Sequence, residues 1–285
     1  MITFPNAKIN LGLHITEERT DKYHNLETVL YPVMIKDALE IRELKAQEIG
    51  QLPFDEKSFR LQTYGIKIDS PIQNNLVVKA FLLFKQKYNL PSTEIHLYKH
   101  IPSGAGLGGG SSDAAFMLKL LNKKFSLKLS DKQLETEASI LGADCAFFIN
   151  NKPTFASGIG NVFSPISLSL KGYGIVIVKP NIFISTKETF AHIHPQSNRQ
   201  PLKEIITLPI KEWKNKLVND FESYIFPQYR EIAEIKKALY NKGAVYASLS
   251  GSGSSVYGIF PPNDNRHQLS DFNTNKKNFF YEGIL

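Results

Sequence analysis

The sequence predicts a mixed α+β protein, with strands and helices interleaved along the whole chain. Three observations carry that expectation. Apolar runs such as Ile9–Ile15, Thr28–Ile35 and Gly174–Val178 have the length and residue types of strands. The segment Asn75–Tyr88 places Leu76, Ala80, Leu83 and Phe84 on one face at helical spacing. The 285 residues are 42% hydrophobic and 21% charged, enough for one large domain or two modest ones.

Taken in order, Ile9–Ile15 and Thr28–Ile35 read as the first strands. Ala38–Ile68 mixes short β-like runs, chiefly Ser58–Tyr64, with the breakers Pro53 and Gly65. Asn74 or Asn75 can cap the helix that runs to Tyr88. Thr93–Leu97 reads as a strand, and the loop Ile101–Gly110 follows. Ser111-Ser112-Asp113 then opens a strong helix through Leu121, and Asp131–Leu141 is a further helix ended by Gly142. Phe147–Ile149 and Thr154–Ser157 read as strands. Composition shifts around Ser164–Leu170, which sets a junction between residues 1–163 and 164–285. Beyond it, helices are expected near Lys187–Ala191, Trp213–Phe221 and Tyr229–Asn241, and Ala247–Phe260 reads as a hairpin with a second glycine-serine cluster.

The single Cys145 excludes an internal disulfide framework. The start, Met1-Ile2-Thr3-Phe4-Pro5-Asn6-Ala7-Lys8, has no long apolar core of the signal-peptide kind. No window reaches the roughly 18 apolar residues of a membrane span. A soluble protein of the reducing cytoplasm is the expectation. The formal net charge of +7 suits a lysine-rich surface or an anionic partner. There is no run of five or six basic residues, so charge alone does not choose between phosphates and nucleic acid.

The sharpest feature is Pro102-Ser103-Gly104-Ala105-Gly106-Leu107-Gly108-Gly109-Gly110-Ser111-Ser112-Asp113. Clustered glycines let a backbone turn its N–H groups toward one point. A helix start adds unpaired donors and a positive dipole end, which suits a phosphate. Ser111 and Ser112 offer hydroxyls to phosphate oxygens or to a metal ion. The bland alternative is a linker before a well-capped helix, but strand and helix bracket this loop too tightly for that. A Walker loop fails because Ser111, not Lys, follows Gly110. A dinucleotide fingerprint fails because the glycines continue past the point where a helix should open, with no acid about 20 residues on.

This loop resembles the second motif of the superfamily of galactokinase, homoserine kinase, mevalonate kinase and phosphomevalonate kinase. Pro5-Asn6-Ala7-Lys8-Ile9-Asn10-Leu11 resembles the first motif, and Leu249–Tyr257 the third. Within the superfamily, Arg19-Thr20-Asp21-Lys22-Tyr23-His24-Asn25-Leu26-Glu27-Thr28 and Leu141-Gly142-Ala143-Asp144-Cys145-Ala146-Phe147-Phe148 are similar to the family of 4-diphosphocytidyl-2-C-methyl-D-erythritol kinases. The resemblance implies a ribosomal-protein-like N-terminal domain that binds ATP and a ferredoxin-like C-terminal sandwich on the substrate side, with the site in the cleft between them. It implies transfer of the ATP γ-phosphoryl group to the 2-hydroxyl of the methylerythritol unit, a step of non-mevalonate isoprenoid synthesis, with Mg2+ expected.

The resemblance also implies roles. Lys8 and Asp144 would be catalytic. ATP would meet Asn75, Lys99, Pro102, Gly104, Gly106, Leu107, Gly108, Gly109, Gly110, Ser111 and Ser112. The cytidylyl substrate would meet Asn10, Tyr23, His24, Thr186, Phe190, Gly251 and Ser252, with Tyr23 and Phe190 on opposite faces of the base. No protein residue is assigned to the metal. Read without the family, Asn75 is equally a helix cap, Lys99 an exposed strand-end charge, Phe190 a core aromatic and Asp144 a turn residue. Lys22 stands where the family usually has glycine, so a different local backbone is expected there. Cys145 and Ala146 replace the usual Val-Pro. The rivals are another kinase of the superfamily, against which Tyr23-His24 argues, and a non-catalytic nucleotide or RNA-binding module. The expected state is a monomer or weak homodimer, with no nucleic acid or membrane partner.

Overall fold

The computed structural model of the protein describes residues 1–50, 58–196, 199–262 and 278–285; Pro53 lies outside them. The chain forms two compact units that interleave in sequence. The first comprises Met1–Ala7, Ile35–Ser103 and Gly108–Asn151, and the second Lys8–Met34, Gly104–Leu107 and Lys152–Leu285. The junction expected at 163/164 lies inside the second unit.

In the first unit, β1 (Ile2–Thr3), β4 (Ala38–Glu43), β6 (Thr93–Lys99) and β5 (Phe59–Gly65) form one sheet in that order. β5 is parallel to β6, and the other pairs are antiparallel. A parallel neighbour needs a crossover, and α2 (Leu76–Tyr88) lies between these two strands in the chain. The period-2 alternation of β6 buries Ile95, Leu97 and Lys99 on one face. The short α1 (Ala46–Gly50) precedes β5. α3 (Gly109–Lys124), α4 (Asp131–Leu141) and α5 (Phe147–Asn150) complete the unit. Ser130 and Gln133 close a reciprocal capping box on α4, which ends at Gly142.

Two expectations are corrected here. α3 begins at Gly109, two residues before the serines. Phe147–Ile149, expected as a strand, lies in helix α5. A three-residue apolar run has no usable period, and here all three side chains are buried from a helical turn.

In the second unit, β2 (Asn6–Glu18), β3 (His24–Lys36), β7 (Thr154–Ser157) and β8 (Val162–Pro165) form a sheet in that order. β10 (Tyr246–Leu249), β11 (Val256–Phe260), β9 (Gly174–Lys179) and β12 (Phe279–Ile284) form an antiparallel sheet in that order. Helices α6 (Thr186–Ala191), α7 (Leu202–Ile205), α8 (Glu222–Gln228) and α9 (Arg230–Asn241) accompany them. α9 buries Ile232, Ile235 and Leu239, spaced three and four apart, in a core with Val176, Val178, Leu249 and Phe260. Burying each such side chain is worth about 2 kcal/mol.

The helix expected at Trp213–Phe221 does not form. Asn215 takes a left-handed φ of 68°. Beyond it the backbone pairs with β2 instead: Leu13 N–H donates to Val218 O and Asp220 N–H to Leu13 O, both at 2.9 Å. Helix resumes at Glu222. Among the described residues, no helix is long and apolar enough to cross a membrane.

Candidate active site

The glycine-rich loop is held by its carbonyls. In the second unit, Ala105 O accepts from Ser255 N at 3.3 Å, and Leu107 O accepts from Lys8 N at 2.9 Å. Gly106 O accepts from Ser250 Oγ at 2.8 Å. The three sequence motifs thus meet at residues 105–107. Gly104, Gly106 and Gly108 have φ of 59°, 74° and 69°, in the left-handed region. At Gly106 a Cβ would lie 1.9 Å from Ser250 O, so no side chain fits.

Gly108 caps α3, whose first N–H groups have no intrahelical acceptor, as at any helix start. A Cβ on Gly109 would sit 2.8 Å from the Ile101 side chain, so strand exit and helix start approach closely. Ser112 is fully buried, and its Oγ has no protein partner. A buried, unpaired hydroxyl at a helix start is costly unless something else bonds it.

Lys99 is not the exposed strand-end charge of the bland reading. It is 3% exposed and ion-paired with Asp37 and, at 2.6 Å, with Asp113 in the first turns of α3. Asp37 Oδ1 also accepts from His100 N at 2.6 Å and Ile101 N at 2.8 Å. This buried brace ties the strand before the loop to the helix after it. Burial raises Asp113 to about 7, against the pull of the Lys99 ammonium and with the push of Asp37. Burial opposes the Lys99 charge, but the two carboxylates outweigh it and leave its pKa raised. Asn75 caps α2, its Oδ1 accepting from Val77 N at 2.9 Å.

Lys8 and Asn10 are buried on the same face of β2, with Lys8 Nζ donating to Asn10 Oδ1 at 2.6 Å. Asn10 N donates to Ser250 Oγ at 3.3 Å, and a Cβ on Gly251 would lie 3.3 Å from Asn10 Oδ1. In the first unit, Asp144 is half-buried in the turn between α4 and α5. Burial, first, pushes the neighbouring Cys145 thiol up to about 11, although a hydrogen bond with Ser111 works the other way. That thiol is an inert core group rather than a nucleophile.

The substrate-side residues fall into two pairs. The His24 ring lies 5.3 Å from that of Phe190, which packs edge-on against Phe221. His24 Nδ1 is buried without a protein partner. Tyr23 is 63% exposed, so within the protein it is His24 that faces Phe190. Thr186 Oγ1 and Ser252 Oγ share a hydrogen bond of 2.8 Å. Lys22 has φ of 66°. The backbone at this position therefore takes a left-handed turn with a lysine side chain in place. The turn is closed by Arg19 N to Tyr23 O at 2.8 Å and by Tyr23 N to Asp21 Oδ1 at 3.1 Å.

Sequence reasoning missed Asp37, and it gave no role of their own to Thr28, Asp113 and Tyr257, which lie inside the motifs it quoted. A signal existed for Lys99: it continues the alternation of Ile95 and Leu97, which marks the inward face.

The chain matches the model for the GHMP kinases N terminal domain over residues 75–152 and that for the GHMP kinases C terminal over 202–277. It is 61% identical over 285 residues to the 4-diphosphocytidyl-2-C-methyl-D-erythritol kinase of Bacteroides thetaiotaomicron, covering 100% of both chains. It is similar to a crystal structure of 4-(cytidine 5'-diphospho)-2C-methyl-D-erythritol kinase, with TM-score 0.81, 25% identity and 99% and 98% of the two chains covered. The Methanococcus jannaschii mevalonate kinase shares the fold, with TM-score 0.74 at 14% identity, covering 100% of this chain and 98% of that one. With full-length identity at this level, and with its glycine loop and motif pairs as described, the chain belongs to the 4-diphosphocytidyl-2-C-methyl-D-erythritol kinase family of GHMP kinases.

Proposed function

We propose that the protein transfers the γ-phosphoryl group of ATP to the 2-hydroxyl of 4-diphosphocytidyl-2-C-methyl-D-erythritol. The observation that carries the choice of substrate is 61% identity, over the whole of both chains, to a kinase of that name. The nucleotide reading is supported independently by a glycine loop that is fixed by its carbonyls and opens onto a helix start.

In this reading the polyphosphate lies along the N–H groups of Gly104, Gly106, Leu107, Gly108, Gly109 and Gly110, with Ser111 and Ser112 adding hydroxyls. Pro102 stiffens the entry to the loop. Asn75 serves the nucleoside side of ATP, and Lys99 serves ATP through the loop it braces. Asp144 takes the proton of the 2-hydroxyl as that oxygen bonds to the γ-phosphorus and the bond to the ADP oxygen breaks. The proton then passes to solvent. The Lys8 ammonium offsets charge on the phosphoryl oxygens in flight. Tyr23, His24 and Phe190 hold the cytosine. Thr186, Gly251 and Ser252 hold the substrate's polar body, and Asn10 its reacting end.

Magnesium bound with ATP would supply neutralisation of the phosphate charge. Among the described residues no group of three His, Cys, Asp or Glu side chains could hold a metal. A magnesium ion that keeps its waters and phosphate oxygens fits this donor set. Ser112 Oγ, buried without a protein partner, is the protein oxygen we assign to it. We place the enzyme in the cytoplasm, acting as a monomer or weak homodimer without nucleic acid or membrane partners.

The test measures ADP release with the cytidylyl substrate, mevalonate and homoserine as acceptors. Turnover is expected with the first alone; turnover with mevalonate instead would overturn the assignment. Asp144→Ala should lower kcat by at least about 100-fold with ATP affinity little changed. Undiminished turnover would remove Asp144 from the mechanism.

A further inference from the structure

We propose that Thr28 is a positioning residue for Lys8, acting through the side-chain amide of Asn10. The proposal rests on the catalytic role proposed above for Lys8. Thr28 lies on β3 and is 2% exposed. Its hydroxyl carries one hydrogen. Gly12 O, 2.6 Å away, can only accept, so that hydrogen is committed to it. The hydroxyl then presents only lone pairs to Asn10 Nδ2 at 3.1 Å, which must donate. The Asn10 amide therefore points its NH2 group at Thr28 and its Oδ1 at Lys8 Nζ, 2.6 Å away.

An ammonium has no lone pair, so Lys8 must be the donor in that bond. The amide orientation is thus fixed at both ends by groups that cannot exchange roles. A backbone carbonyl sets the rotor of a hydroxyl, the hydroxyl sets an amide, and the amide sets an ammonium. The middle of the chain cannot swing away. Asn10 O accepts from Tyr257 OH at 2.7 Å, and Asn10 N is held by Ser250. Without the Thr28 hydroxyl, the amide keeps only the Lys8 end of its anchoring and its NH2 group loses its acceptor. Its flipped form would aim N–H donors at the ammonium. The Asn10 bond to Lys8 would then be less firmly held at the moment when the ammonium must meet the phosphoryl group.

The experiment compares Thr28→Val, which keeps shape and loses the hydroxyl, with Thr28→Ser, which keeps the hydroxyl. For Thr28→Val, kcat should fall about ten-fold or more, with both KM values within about two-fold. Thr28→Ser should recover at least half of kcat. A readout without turnover is the acylation rate of Lys8 by acetic anhydride, followed by mass spectrometry. It should rise at least about three-fold in Thr28→Val and stay near wild type in Thr28→Ser. Should Thr28→Val not fold, Thr28→Ser and Thr28→Ala differ by the hydroxyl alone and carry the same comparison. Wild-type kcat and acylation in the hydroxyl-free variants, with Lys8→Met inactive, would overturn the positioning role. An active Lys8→Met would overturn the role of Lys8 itself.

Discussion

At the residue scale, two glycines of one loop carry different burdens. Gly104 and Gly106 both have positive φ, and an alanine at either is strained by about 1–2 kcal/mol from that alone. Their surroundings differ. A Cβ on Gly104 would meet only the Phe183 ring, at 3.4 Å, an ordinary contact. A Cβ on Gly106 would meet the backbone oxygen of Ser250 at 1.9 Å, which cannot rotate away. The loop and the Ser250 turn would have to separate, breaking the bond from Ser250 Oγ to Gly106 O. Gly104→Ala should therefore lower the melting temperature by about 2–6 °C and keep measurable ATP binding. Gly106→Ala should cost clearly more and abolish ATP binding in calorimetry. Equal behaviour of the two would show that the approach of Gly106 to Ser250 is not what shapes the loop.

At the scale of elements, the brace between β6 and α3 makes stability depend on pH. Asp113 is raised to about 7 in the fold from an ordinary 3.8, chiefly by burial. Between those values the folded chain holds a proton that the unfolded chain has released, so stability falls as pH rises through this window. Asp113→Asn cannot ionise, yet its oxygen can still accept from Lys99. The melting temperature of the variant relative to wild type should rise between pH 4 and pH 8, by about 5 °C. A difference constant across that range would contradict the raised acid. The alternation of β6 pointed Lys99 inward, but the sequence did not announce its pairing with Asp37, because the two are 62 positions apart and Asp37 lies in no quoted motif. What was legible had local causes: the Asn75 cap, the end of α4 at Gly142 and the clustered glycines. The face read for α2 was only half right, Ala80 and Phe84 being buried with Val77, Val78 and Phe81 in place of Leu76 and Leu83. What was not legible depended on distant partners. Val218–Asp220 leaves helix because Leu13 offers it a strand edge, and β12 completes a sheet through β9.

At the scale of the molecule, the net charge of +7 now has a use to be weighed. Several arginines are already neutralised by carboxylates: Arg42 by Glu48 and Glu94, Arg60 by Glu94, Arg199 by Asp220. The excess therefore falls mainly on lysines. Both proposed substrates carry phosphates, so a positive field would raise their encounter rate and do little for bound chemistry. The Debye length shrinks from about 10 Å at 0.1 M ionic strength to about 3 Å at 1 M. Between 0.05 and 0.5 M salt, kcat/KM for both substrates should fall about three-fold or more, while kcat stays within two-fold. A steering field acts on approach, so viscosity should matter most at low salt, where encounter is fastest. A flat salt response would mean that the lysines are a solvated coat whose field does not reach the glycine loop. A parallel fall of kcat would instead place the screened charges on the bound phosphates, where Lys8 is the first residue to examine.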